Sequence, residues 1–304
     1  MKARDFRTNQ PETPRRHWVR GDPFASAFFN ALSAVFPAGE AFMIRSIKPW
    51  HKNTPPQLSA DIRQFVEQEA GHSREHDVMN DSLTAAGYDI EPLQQVIRNF
   101  VGCFENSSAQ TRLCATMCIE HLTAIVAAEV MDKDHHLQDS DYGLRELWLW
   151  HAVEEIEHKS VAFDAWQYAV RDWSGPRRYA VRTAFLTLIT ISFLINRTRG
   201  QMELLRQDGF GFWKSLTGLI RSGFGKGGIG RNSIRPWLSF FRPGFHPWNI
   251  DDRHLIEKGE TRLAQMKAGR AQAEPSLPNA AKIRGLLKPP DKGSGGNQLR
   301  VIGQ

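Results

Sequence analysis

QEAGHSREH at 68–76 and HAVEEIEHK at 151–159 are the stretches whose reading decides the fold. Each contains Glu-x-x-His, as Glu69/His72 and Glu155/His158. On an α-helix each residue turns about 100°, so positions i and i+3 lie within about 60° and project from one face. A carboxylate and an imidazole on one face can reach the same metal ions. One such motif on a surface helix is a common solvated face, but two on separate long helices are hard to obtain by accident.

Two lone glutamates complete the pattern. Glu40 sits in FPAGEAFM and Glu120 in ATMCIEHLTA, both apolar text. A bare carboxylate buried there is costly unless it is neutralised or bound, and a metal pair would resolve that cost. The order Glu40, Glu69/His72, Glu120, Glu155/His158 is the chain order of ferritin-like di-metal bundles, where two helices carry Glu-x-x-His and two carry a single Glu. The expectation is all-α: a ferritin-like four-helix bundle with additional C-terminal helices, holding two metal ions.

Two more histidines share these faces. His151 precedes Glu155 by four and His158 by seven, and His76 follows Glu69 by seven and His72 by four. Either can bind directly or orient a ligand by hydrogen bonding; the reading favours His151 as a ligand over His76. Glu67, Glu75, Glu154 and Glu157 fall off the stripe and read as surface or supporting groups. His121 turns about 100° away from Glu120 and reads as a polar neighbour, and Trp148 as a pocket wall.

Working outward, residues 1–22 read as a flexible N-terminal arm and 23–176 as the di-metal bundle. The helices are expected from residue 24, kinking or restarting after Pro37, just before Glu40; from Ser59 to 86; over 92–104; over 107–133; and over 143–170. Gly87 stops the second. Residues 177–270 read as a C-terminal helical extension packing on the bundle, helical to about 206 and again over 251–270. Between those lie a glycine-rich and an aromatic stretch, and 271–304 reads as a disordered tail.

Charge divides the 304 residues. Residues 1–176 carry 17 Lys and Arg against 25 Asp and Glu, a balance of −8, and 177–304 carry 22 against 8, a balance of +14. The basic half reads as solvated surface; no nucleic-acid motif is present. The uncharged run 183–195 is shorter than the roughly 20 residues a membrane span requires, so packing is favoured there, with membrane-surface contact through 177–200 as the alternative. The basic N-terminus has no apolar leader core, and the three cysteines (Cys103, Cys114, Cys118) form no CxxC pair. Both predict a reducing, cytoplasmic setting, peripheral to a membrane under the second reading.

In NALSAVFPAGEAFM (30–43), FVEQEAGHSREH (65–76), the Glu-His pair at 120–121, LWHAVEEIEHKSVAFD (149–164) and FRPGFHPW (241–248), the chain resembles a bacterial family of predicted metal-dependent hydrolases over roughly residues 20–260. The ligand order and the His-x-x-x-Glu-x-x-His spacing are also similar to the di-iron N-oxygenases that oxidise arylamines. That resemblance implies a seven-ligand set of Glu40, Glu69, His72, Glu120, His151, Glu155 and His158.

Mixed imidazole and carboxylate ligation suits iron, with manganese or zinc as alternatives. The favoured function is dioxygen activation to oxidise a small organic substrate, with an electron donor as partner. Metal-dependent hydrolysis of an ester or amide is the alternative, and metal storage or redox sensing a third. Substrate and oligomeric state are not legible.

Overall fold

The computed structural model describes residues 3–4, 6–7 and 14–273. Among these residues the structure is all-α, with one isolated bridge, Val19 to Ser140, and no strand. Ten α-helices follow in order: α1 Pro23–Ile47, α2 Pro56–Ala85, α3 Glu91–Gly102, α4 Ala109–Asp132, α5 Tyr142–His158, α6 Val161–Ala169, α7 Gly175–Gln207, α8 Phe212–Phe224, α9 Ile229–Ser239 and α10 Arg253–Ala273. The chain divides into two units after Leu263. The site lies in the first; in the second, the described residues continue α10.

Helix α1 begins where Asp22 caps it, its carboxylate accepting from the amides of Phe24 and Ala25, with Pro23 in the first turn. It then runs through Pro37 as one helix, so of the expected kink or restart there is no restart. Proline has no N–H, so the carbonyl of Ser33, four residues earlier, lacks its helical donor. Asn80 of α2 supplies one, its Nδ2 donating to that carbonyl at 3.0 Å. The neighbouring helix thus repairs the break.

Helix α2 starts at Pro56 rather than Ser59, whose amide is already bonded to the carbonyl of Pro55. Gly87, at φ +86°, ends it as expected. The helix expected over 143–170 is two, α5 and α6, broken at Lys159 and Ser160. There the later chain docks: Lys159 Nζ donates to the Ile250 carbonyl at 2.8 Å and to Asp252 at 2.6 Å, and Trp248 Nε1 donates to Ser160 at 3.1 Å.

The described part of the N-terminal arm is packed, contrary to a flexible reading. Trp18 is fully buried, donating to Asn30 at 2.7 Å. Arg16, His17 and Tyr88 converge on Asp208, and Phe6 stacks on Trp150 at 4.6 Å. The glycine-rich stretch contains α8 and α9, which were not anticipated; α7 packs on α1 and α4, and α9 on α4. The tail expected from 271 lies outside the described residues beyond Ala273.

Three helical segments are long and apolar enough to cross a membrane by length and composition: Pro23–Lys52, Ala109–Asp132 and Gly175–Gln207. The run 183–195 is therefore part of a 33-residue helix. The apolar windows of the first two are mostly buried inside the fold, but that of α7 is only 17% buried.

Candidate metal centre

Glu40 comes from α1, Glu69 and His72 from α2, Glu120 from α4, and His151, Glu155 and His158 from α5. None of the seven is more than 4% exposed. One ligand-type atom each from Glu69, His72, Glu155 and His158 lies within 4.8 Å of all the others, and Glu40, His72 and His151 form a second such group. His72 belongs to both, so the groups adjoin. Glu120 is outside them but joined through His158, whose Nδ1 lies 3.0 Å from Glu120 Oε2 while its Nε2 lies 3.1 Å from Glu69 Oε1.

A relay of hydrogen bonds sets the tautomer of His151. The Ser33 carbonyl can only accept, so Asn80 turns Nδ2 toward it and presents Oδ1 to the Ser33 hydroxyl at 3.0 Å. With its proton so committed, Ser33 Oγ accepts from His76 Nδ1 at 3.0 Å. His76 Nε2 is then an acceptor and takes the Nδ1 proton of His151 at 2.9 Å. That leaves a lone pair on His151 Nε2, which faces Glu155 Oε1 at 3.0 Å. Two acceptors so placed repel unless a proton or a cation lies between them. His76 thus sits behind His151 and orients it.

Other buried atoms are also missing partners. Among the described residues, both oxygens of Glu40, both of Glu69 and both ring nitrogens of His72 have no hydrogen bond. Leaving so many polar groups unsatisfied would be costly, and a bound cation cluster removes the cost.

The electrostatics agree. Burial, reinforced by the charges of neighbouring glutamates, pushes the carboxyls of Glu40 and Glu69 well above their ordinary range. Burial raises Glu120 to about 7 against the pull of His158. Burial drives His72 and His76 well below the usual imidazole value, helped by His151. His158 is the exception, since burial lowers it but Glu120 outweighs that and holds it at about 9. Glu155 is the other exception: burial raises it, but with a proton between it and His151, and with His158 and the Thr123 hydroxyl beside it, it lies below its ordinary value. Without a cation, the cluster keeps protons in place of one.

A cavity of about 270 Å³ reaches the centre between α1, α3, α4 and α7. Glu40, Thr123, His151 and Glu155 line it at the centre, and Asn196, Arg197, Arg199 and Glu203 of α7 also line it; Phe36, Ile97, Ile119, Ile189 and Phe193 are among its apolar walls. Thr123 donates to Glu155 Oε2 at 2.6 Å, and Phe36 stacks on His151 at 5.0 Å.

Sequence reasoning missed some of these partners. Glu154 is fully buried, its Oε2 3.2 Å from His72 Nε2 without a hydrogen bond between them and its Oε1 accepting from the Arg4 amide at 2.9 Å. Glu75 is buried as well, and Glu157 takes both Arg4 and Gln68, while Glu67 is on the surface. His121 packs against Phe240 and Phe245, away from the cluster. Thr123 lies three residues past Glu120, on the same helix face, and that spacing could have flagged it.

Fold and site together define an all-helical protein with a buried glutamate and histidine group able to bind metal. The chain matches the family model described as "Predicted metal-dependent hydrolase" over residues 2–251, and it belongs to that family. No curated protein and no solved structure matches it.

Proposed function

We propose that this protein is a ferritin-like di-iron enzyme that activates dioxygen to oxidise a small apolar substrate. The observation that carries the reading is the meeting of a mostly apolar cavity with a cluster of four glutamates and three histidines. The order of motifs on α1, α2, α4 and α5 supports the ferritin-like assignment. Glu40, Glu69, His72, Glu120, His151, Glu155 and His158 would hold the two ions, with His76 orienting His151. Two ferrous ions, when bound, supply electrons and open coordination positions for dioxygen.

The chain's own residues do the rest. Phe36, Ile97, Ile119, Ile189 and Phe193 exclude water from the substrate space and favour an apolar ligand over a charged one. Thr123 fixes one oxygen of Glu155, and the relay through His76 and Ser33 keeps the proton of His151 on Nδ1, away from the cavity. Glu154 Oε2, 3.2 Å from His72 Nε2, places a carboxyl beside that ring.

Hydrolysis of an apolar ester or amide is the second reading, favoured by the family's description. The two separate in one experiment. Protein loaded anaerobically with ferrous iron is exposed to oxygen with a chemical reductant and apolar amines, and separately to an activated ester. Oxygen consumption with amine oxidation supports the proposal; metal-dependent ester cleavage without oxygen uptake overturns it in favour of the hydrolase.

A further inference from the structure

Eleven of the thirteen exposed large apolar side chains among the described residues lie between Tyr179 and Leu238. Exposed apolar surface is therefore concentrated in one part of the chain, and it is ordered. On α7, Leu188, Ile191 and Ile195 follow helical spacing, at 64%, 51% and 47% exposure. They lie roughly opposite Ile189, Phe193 and Gly200, which face the cavity. On α8 the exposed positions are Phe212, Trp213, Ile220 and Phe224, with Trp213 74% exposed, and on α9 they are Ile234 and Leu238. Helix α8 packs on both α7 and α9.

The same stretch is strongly basic. Residues 175–242 carry 12 Lys and Arg against 2 Asp and Glu, a balance of +10 in a chain whose total is +6. Arg177 and Arg199 are exposed at either end of the α7 stripe, and Lys214, Arg221, Arg231 and Arg235 are exposed on α8 and α9. Apolar residues interleaved with fixed positive charge match the boundary between acyl chains and anionic headgroups. A second copy of the chain would bring like charges together. A spanning arrangement conflicts with the rest of the fold: α7 packs on α1 and α4, and the exposed side of α2 in that bundle carries Arg63, Glu67, Arg74, Asp77 and Asp81.

We propose that the exposed faces of α7, α8 and α9 dock the protein peripherally on an anionic lipid bilayer. The inference stands apart from the metal chemistry and survives if that reading fails.

Flotation of the full-length protein with phosphatidylcholine vesicles, with and without phosphatidylglycerol, tests it. The protein floats with the anionic vesicles, and raised salt or alkaline wash releases it. Arg221→Glu and Arg235→Glu weaken partitioning by about fivefold or more each, and Trp213→Glu or Ile191→Glu by roughly tenfold or more. All four positions are exposed, so the melting curves and helical circular dichroism of the variants match the parent. Failure to float with anionic vesicles overturns the proposal, as does flotation indifferent to all four substitutions. Release only by detergent overturns it in favour of a span. A dimer that Ile191→Glu dissociates, without vesicle binding, overturns it in favour of self-association.

Discussion

Replacing Glu40 with leucine should stabilise the metal-free protein while weakening its hold on metal. Glu40 is 2% exposed, neither carboxyl oxygen has a hydrogen bond among the described residues, and burial already pushes its carboxyl well above the ordinary range. An unsatisfied buried polar group costs about 1–3 kcal/mol, and leucine fills a similar volume without it. At roughly 2–4 °C per kcal/mol for a domain of this size, chelator-treated Glu40→Leu should melt about 2–12 °C above the parent. Glu40→Gln keeps an unsatisfied polar group in place and should gain little. With metal the order inverts: ligand bound only to the native state adds about 4 kcal/mol at a thousandfold excess over Kd, and the leucine variant forfeits part of that. Thermal unfolding of the three proteins, with and without ferrous iron, reads both effects. If metal-free Glu40→Leu melts below the parent, Glu40 is held by some other interaction and the argument from unsatisfied carboxyls is wrong.

His76→Leu strips His151 Nδ1 of its 2.9 Å partner and should lower metal affinity about 10- to 100-fold, measured by chelator competition. His121→Leu, whose ring packs on Phe240 and Phe245, should leave affinity unchanged. The stability of the metal-free protein should fall as pH rises from about 6.5 to 9. His158, held at about 9, and Glu120, raised to about 7, bind more protons folded than unfolded in that window, and Glu40 and Glu69 shift in the same direction, at about 1.4 kcal/mol per pH unit for each proton so held. Below about 6.5 the depressed His72 and His76 oppose that slope, so urea titrations at pH 6.5, 7.5 and 8.5 on chelated protein are the check; stability rising with pH there contradicts the charge assignment. Gly259→Ala should cost about 1–3 kcal/mol by overpacking, because a Cβ there would lie 2.3 Å from Val153 and 2.5 Å from Met131; metal stoichiometry should be preserved.

The metal face was legible because helical geometry alone sets it. Glu69 and His72, or Glu155 and His158, must share a side whatever surrounds them. Which of surface or supporting group Glu154 would be was not legible, since it lies about 100° from Glu155 along the helix and the amide it accepts from belongs to Arg4, 150 residues away. The same holds for Pro37: its break in the backbone ladder is visible in the sequence, but the donor that repairs it is on α2. The split between α5 and α6 escaped notice because apolar periodicity continues across Lys159. Of the glycines that made 209–230 look irregular, Gly211 and Gly228 precede α8 and α9 and Gly225 follows α8, while Gly218 lies inside α8. Local pattern assigned the long helices and the shared faces of their glutamates and histidines, whereas contacts between distant segments set where they begin and end.

The central claim is that the cluster around Glu69 and Glu155 holds two metal ions. Anomalous diffraction at the iron edge from crystals grown with ferrous iron under anaerobic conditions tests it most directly. The account predicts two anomalous peaks roughly 3.5–4 Å apart, enclosed by Glu40, Glu69, His72, Glu120, His151, Glu155 and His158, with at least one lost in His158→Ala. A single peak, peaks elsewhere in the molecule, or no anomalous density at these residues in iron-loaded crystals would contradict it.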